Sequence, residues 1–237
     1  MSLLQLLEPE DPLPPSMTAL ENPNGLLAVT RELEIPRLVE AYRRGIFPWF
    51  EEPQPVLWWS PDPRSVLPLS GLHISRSLRK TLRRNAFRLG VDRAFGDVMR
   101  SCAGARRGQS GTWINRRMLH AYAQLHRQGI AHSIEVSDAG GALVGGLYGV
   151  CLGTTFFGES MFSHCDDASK VALVALVRLL ERAGGDLIDC QVESDHMNSM
   201  GARNISRTDF EQWLARNEAS DISSEAWHLP DRCGDLL

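Results

Sequence analysis

From Val171 to Leu180 every residue except Arg178 is apolar, so a helix over Ala168 to about Ala183 presents hydrophobic side chains almost all round and has to be heavily buried. Asp166 or Asp167 is expected to cap its start, and Gly184-Gly185 to close it. Directly after it, Leu187-Ile188-Asp189-Cys190-Gln191-Val192 reads as a buried strand. Residues two apart on a strand share a face, so Asp189 and Gln191 should point one way and Ile188, Cys190 and Val192 the other, into apolar packing. An unpaired buried polar group costs roughly 1–3 kcal/mol. The Asp189/Gln191 pair is therefore expected to be hydrogen-bonded or used.

Before that helix the punctuation predicts an α/β (α+β) chain. A helix from about Ile35 to Arg44 ends at Gly45, and proline density from Trp58 to Arg64 marks an irregular link. A boundary there gives a small N-terminal domain over 1–63 and a larger one over 64–237. Helices are expected over 75–85, about 92–103 and about Asn115 to Gln128. A meander should follow, with strands His132–Val136, Ala142–Val150 and Thr154–Glu159 and a turn at Asp138-Ala139-Gly140-Gly141. Antiparallel strands, a buried helix and a further strand are the order of an acetyltransferase-like (GNAT-like) core. The loop Glu159 to Asp167 holds no glycine cradle, and its two aspartates would repel a pyrophosphate, which speaks against coenzyme A as donor.

Charge is distributed unevenly. The whole chain carries -4, yet residues 73–107 carry +8, leaving -12 on the rest. On the helix over 75–85, Arg76, Lys80 and Arg83 or Arg84 line one ridge, joined by Arg79, which suits a polyphosphate partner. A solvated helix face is the plainer alternative. No run approaches the roughly 18 apolar residues of a membrane helix, and the stretch Glu8 to Pro15 lacks signal-peptide character, so a cytoplasmic protein without a membrane partner is expected. The five scattered cysteines form no CxxC pair, which favours reduced thiols. Gly158-Glu159-Ser160-Met161-Phe162 lacks the second glycine of a nucleophile elbow, and the histidines lack metal-ligand spacing.

Several ordered segments carry a family resemblance. They are Pro23-Asn24-Gly25-Leu26-Leu27-Ala28, Gly45-Ile46-Phe47-Pro48-Trp49-Phe50, Trp58-Trp59-Ser60-Pro61-Asp62-Pro63-Arg64, Gly111-Thr112-Trp113-Ile114 and Ala131-His132-Ser133-Ile134-Glu135-Val136. Val144-Gly145-Gly146-Leu147-Tyr148-Gly149, Gly158-Glu159-Ser160-Met161-Phe162-Ser163, Ala168-Ser169-Lys170 and Leu187-Ile188-Asp189-Cys190-Gln191 continue the series. Together they resemble the leucyl/phenylalanyl-tRNA–protein transferases from about residue 20 to 215.

The resemblance implies a small N-terminal domain followed by an acetyltransferase-like domain. It implies an aminoacyltransferase that moves Leu, Phe or less readily Met from aminoacyl-tRNA to proteins beginning with Arg or Lys, marking them for degradation. No metal or cofactor is implied, and a monomer is expected. By motif, Asp189 and Gln191 would be the catalytic pair and Glu159 would help hold the acceptor. Trp113, Leu147, Phe156, Leu176 and Ile188 would form the aminoacyl pocket, with Trp49 near the tRNA 3′ end. Arg76, Arg79, Lys80, Arg83 and Arg84 would contact tRNA phosphates. A CoA-dependent N-acyltransferase and a non-catalytic tRNA-binding protein are the competing readings. The absent CoA loop opposes the first, and the buried Asp189/Gln191 pair opposes the second.

Overall fold

The computed structural model describes residues 4–104, 114–217 and 221–237. The first elements are Gln5–Leu7 (β1), Leu26–Thr30 (β2), Ile35–Arg43 (α1), Phe47–Pro48 (β3) and Val56–Trp59 (β4). They form a four-stranded sheet in the order β1-β2-β4-β3. Next come Arg64–Pro68 (β5), Arg76–Arg84 (α2), Arg88–Val91 (β6), Phe95–Ala103 (α3) and Arg116–Arg127 (α4). The chain continues through Ala131–Ser137 (β7), Leu143–Leu152 (β8), Thr155–Ser163 (β9), Ala168–Ala183 (α5) and Leu187–Gln191 (β10). Asp195–Ser199 (α6), Arg203–Ile205 (β11) and Arg207–Asn217 (α7) complete it. The second sheet has seven strands in the order β11-β5-β10-β9-β8-β7-β6.

Helix α5 is buried as its composition demands, with every residue from Val171 to Val177 at most 1% exposed. It packs with Leu78 and Leu82 of α2 against Leu147, Phe156 and Ile188 on one face of the large sheet. The other face meets α1, α3 and α4, in a cluster that also takes in Ala28, Val56 and Trp58 of the small sheet. Strands β7, β8 and β9 form the expected antiparallel meander, and the chain then crosses through α5 so that β10 lies parallel to β9.

Local chemistry moved several boundaries. The stretch from Trp58 to Arg64 is not a long irregular link: β4 ends at Trp59, β5 begins at Arg64, and the prolines occupy only the turn between them and the last position of β5. Proline is tolerated at strand ends because no ladder hydrogen bond is lost there. Helix α3 begins at Phe95 rather than near residue 92 because Asp92 adopts φ 57° and the buried Glu135 carboxylate of β7 accepts from Arg93 N and Ala94 N, both at 3.4 Å. At α5, Asp167 occupies the N-cap position but its side chain does not cap. With φ 64°, its carboxylate instead accepts from Thr81 Oγ1 at 2.8 Å and Lys170 Nζ at 3.2 Å.

Candidate active site

Strands β9 and β10 pair only from Leu187 to Asp189 against Thr155 to Phe157. Beyond that point each carries a bulge. In β9 the register to β8 jumps from Gly149↔Gly158 to Tyr148↔Ser160, so Glu159 is the extra residue. In β10 the register to β5 jumps between Asp189 and Gln191, so Cys190 is extra and Gln191 takes φ 63°. Bulges bend strands and re-aim side chains. Gly149 permits the first one, since a Cβ there would lie 2.2 Å from the Phe157 carbonyl oxygen. Where the two parallel strands part, a cleft of about 1060 Å³ opens.

The bulge in β10 corrects the simple alternation expected of that strand. Val192 is 48% exposed and does not enter apolar packing. Cys190 packs partly against the α5 cluster, and burial pushes its thiol well above the ordinary range, keeping it protonated. Asp189 is fully buried. Arg64, itself 1% exposed, grips it side-on along one edge of the guanidinium: Nε donates to Oδ1 at 2.8 Å and Nη2 to Oδ2 at 2.6 Å. Arg64 also donates to the Gly45 carbonyl at 2.9 Å and lies over the rings of Phe47 and Phe210. The remaining Asp189 contact is to Gln191, whose backbone N–H donates to Oδ1 at 2.9 Å. Asp189 thus pins the bulge that presents Gln191.

Gln191 then reaches across to the other bulge, with Nε2 donating to Glu159 Oε1 at 2.9 Å. Its Oε1 has no hydrogen-bond partner among the described residues, and Gln191 lines the cleft. Glu159 also accepts from Tyr42 at Oε1 (2.6 Å) and from Tyr122 at Oε2 (2.8 Å), and the two phenols hydrogen-bond each other. Burial pushes the Glu159 carboxyl up to about 7, and the nearby Asp189 charge adds to this while the three donors hold it down. Burial and the Glu159 carboxylate raise both phenols well above their usual range.

The cleft brings together most of the residues singled out from sequence. Glu159, Asp189 and Gln191 line its polar end, and Leu147, Phe156, Leu176 and Ile188, all buried, line an apolar wall against α5. Trp49 stands at the mouth, 45% exposed, 5.8 Å from the Trp59 ring. Trp113 lies outside the described residues. Arg76, Arg79, Lys80, Arg83 and Arg84 are exposed on α2, away from the buried Leu78 and Leu82. Thr81 joins that helix to Asp167, which lines the cleft. Arg64, Tyr42 and Tyr122 were not foreseen as site residues. Arg64 stands in a motif noticed only for its tryptophans and prolines, and Tyr42 reads as one apolar position of a helix.

Among the described residues, no group of three or more His, Cys, Asp or Glu is placed to hold a metal ion, and no helix is long and apolar enough to cross a membrane.

Comparison with known proteins shows the family. The family model "Leucyl/phenylalanyl-tRNA protein transferase" matches residues 66–215, and the model of that family's N-terminal domain matches 31–62. A leucyl/phenylalanyl-tRNA–protein transferase of Azotobacter vinelandii is 56% identical over 85% of this chain and 88% of its own length. That of Nitrosomonas eutropha is 50% identical over 96% and 97%, and that of Methylococcus capsulatus 50% identical over 99% and 100%. Among solved structures, L-PGS from Bacillus licheniformis aligns with TM-score 0.41 at 11% identity over 71% of this chain and 54% of that one, a likeness that assigns no fold.

Proposed function

The chain belongs to the leucyl/phenylalanyl-tRNA–protein transferase family, and we propose that it moves Leu, Phe or less readily Met from aminoacyl-tRNA onto the N-terminal Arg or Lys of acceptor proteins, marking them for degradation. It is an aminoacyltransferase. The observation that carries the reading is one cleft with an apolar wall at one side and the Glu159–Gln191–Asp189 constellation at the other. The wall of Leu147, Phe156, Leu176 and Ile188 suits an unbranched-at-Cβ apolar side chain. Shape selection of that kind discriminates by about 1–3 kcal/mol per methyl-sized difference.

At the polar end the acceptor's α-ammonium, with a pKa of roughly 7.7–8.0, has to lose a proton before it attacks the ester carbonyl. The aminoacyl ester is already activated, so positioning plus one proton transfer suffices. Gln191 Oε1 accepts from the amine, and Asp189 acts through Gln191 rather than on the amine, since its oxygens are committed to Arg64 and the Gln191 N–H. Glu159 meets the acceptor beside Gln191. The meander β7–β9, the buried α5 crossover and β10 parallel to β9 support an acetyltransferase-like second domain from residue 64, after a small domain over 1–63. We further read the protein as a cytoplasmic monomer.

Incubation of the protein with leucyl-tRNA and an Arg-initiated peptide is expected to add one leucine to the peptide by mass. An unmodified peptide across salt conditions contradicts the proposal. The exposed ridge on α2 supports a phosphate-contacting role, because such contacts position a nucleic acid without reading its sequence. Neutralising Arg76, Lys80 and Arg84 together should weaken tRNA binding and flatten the slope of log K against log salt by up to roughly 3. An unchanged slope would return the ridge to an ordinary solvated face.

A further inference from the structure

The hydrogen bonds among Tyr42, Tyr122 and Glu159 contain more contacts than the phenols have protons. Three oxygen–oxygen bonds close the group: Tyr42 to Glu159 Oε1, Tyr122 to Glu159 Oε2, and Tyr42 to Tyr122. Each needs one hydrogen, and two phenols supply two. The third has to come from the carboxyl. With a proton on Glu159, the bonds run one way round a closed ring: each phenol donates once and accepts once, while one carboxyl oxygen donates and the other accepts. Gln191 Nε2 adds a further donor to Oε1 from outside the ring. Without that proton, one of the three contacts holds no hydrogen.

The placement gives this proton a use. Glu159 lines the cleft next to Gln191, whereas Tyr42 and Tyr122 are fully buried and absent from its lining. The ring therefore meets the substrate through its carboxyl alone. Its surroundings carry little compensating charge. Tyr42 comes from α1, Tyr122 from α4 and Tyr148 from β8, while β10 brings Asp189, whose charge is matched by Arg64 of β5.

Resting on the transfer reading above, we propose that Glu159, closed into this ring by Tyr42 and Tyr122, receives the proton shed by the acceptor's α-ammonium and is a catalytic residue rather than only an anchor. The ammonium gives one proton to the Glu159 carboxylate and becomes a neutral amine. The amine nitrogen attacks the ester carbonyl carbon, the new C–N bond forms and the bond to the ribose oxygen breaks. A second amine proton goes to that leaving oxygen, giving a hydroxyl and a neutral amide. Glu159 releases its proton to solvent once the product departs. Burial sets the carboxyl near the pKa of the amine it serves, so the transfer is close to balanced. The two phenols are positioning residues that hold the carboxyl and share its proton.

The test is single-turnover transfer of leucine from leucyl-tRNA to an Arg-initiated peptide, followed from about pH 5 to 9. Below its inflection Glu159 is already protonated and cannot accept, so the wild-type rate should rise as pH rises through about 7. Glu159→Gln should bind leucyl-tRNA as the wild type does, transfer roughly 100-fold more slowly at saturating peptide, and lose that inflection. Tyr122→Phe removes a donor to the carboxylate and should move the inflection upward. Infrared spectroscopy provides a readout independent of activity: a protonated-carboxyl band that disappears as pH rises through about 7 in the wild type and is missing in Glu159→Gln. A Glu159→Gln variant that raises only the peptide KM, with kcat and the inflection intact, would overturn the proposal and leave Glu159 an anchor. So would a wild-type spectrum without the band, even if Glu159→Gln fails to fold. A wild type that transfers nothing would instead defeat the underlying transfer reading.

Discussion

Asp189→Ala is expected to lower folding stability by about 3–5 kcal/mol, because it leaves the Arg64 guanidinium buried without its counter-charge. Both side chains are essentially inaccessible to water, so solvent cannot replace the lost partner. The double variant Arg64→Leu/Asp189→Leu removes both charges together and should recover most of that loss, since well-packed apolar side chains often replace a buried ion pair at little cost. It should not recover transfer, because the Gln191 N–H loses its acceptor and the bulge loses its pin. Urea unfolding midpoints with single-turnover transfer separate the two effects. A single variant as stable as the wild type would show that Asp189 is not the structural counter-ion the geometry makes it.

Gln191→Ala carries the second large effect, and it falls on rate instead of stability. The side chain is only part-buried and its loss removes one bond to Glu159, so the fold should be little changed. Transfer should slow by roughly 100-fold at saturating substrates, as misplacement of the attacking amine by about 1 Å is enough for that. Because the lost contact is made to the amine as it attacks, kcat should fall with little change in the apparent affinity for leucyl-tRNA. A variant with unaltered kcat would remove Gln191 from the reaction.

The parts of the fold governed by local pattern are legible in the sequence. All-round apolarity marked α5, the Asp138 to Gly141 turn and flanking strands marked the meander, and Gly184 with φ 80° closes the helix where expected. Residues whose role depends on distant partners were not. Arg64 meets Asp189 across 125 positions, and Tyr42 meets Glu159 across 117. Nothing within a helical window around Tyr42 distinguishes a core tyrosine from one that donates to a buried acid. The strand β5 was hidden for a different reason, since prolines that merely bracket it looked like an irregular link. The bulges at Glu159 and Cys190 likewise have no local signature here, although they convert a regular strand pair into an open cleft.

On this reading the aminoacyl ester and the acceptor amine meet between the apolar wall and the Glu159–Gln191 corner. A crystal structure with 3′-leucylamido-adenosine, whose amide resists cleavage, tests it most directly. The leucyl side chain should lie against Leu147, Phe156, Leu176 and Ile188, with the carbonyl carbon beside Gln191. An analogue seated anywhere else, such as the groove formed by Leu6, Pro12, Leu13 and Leu27, would contradict it.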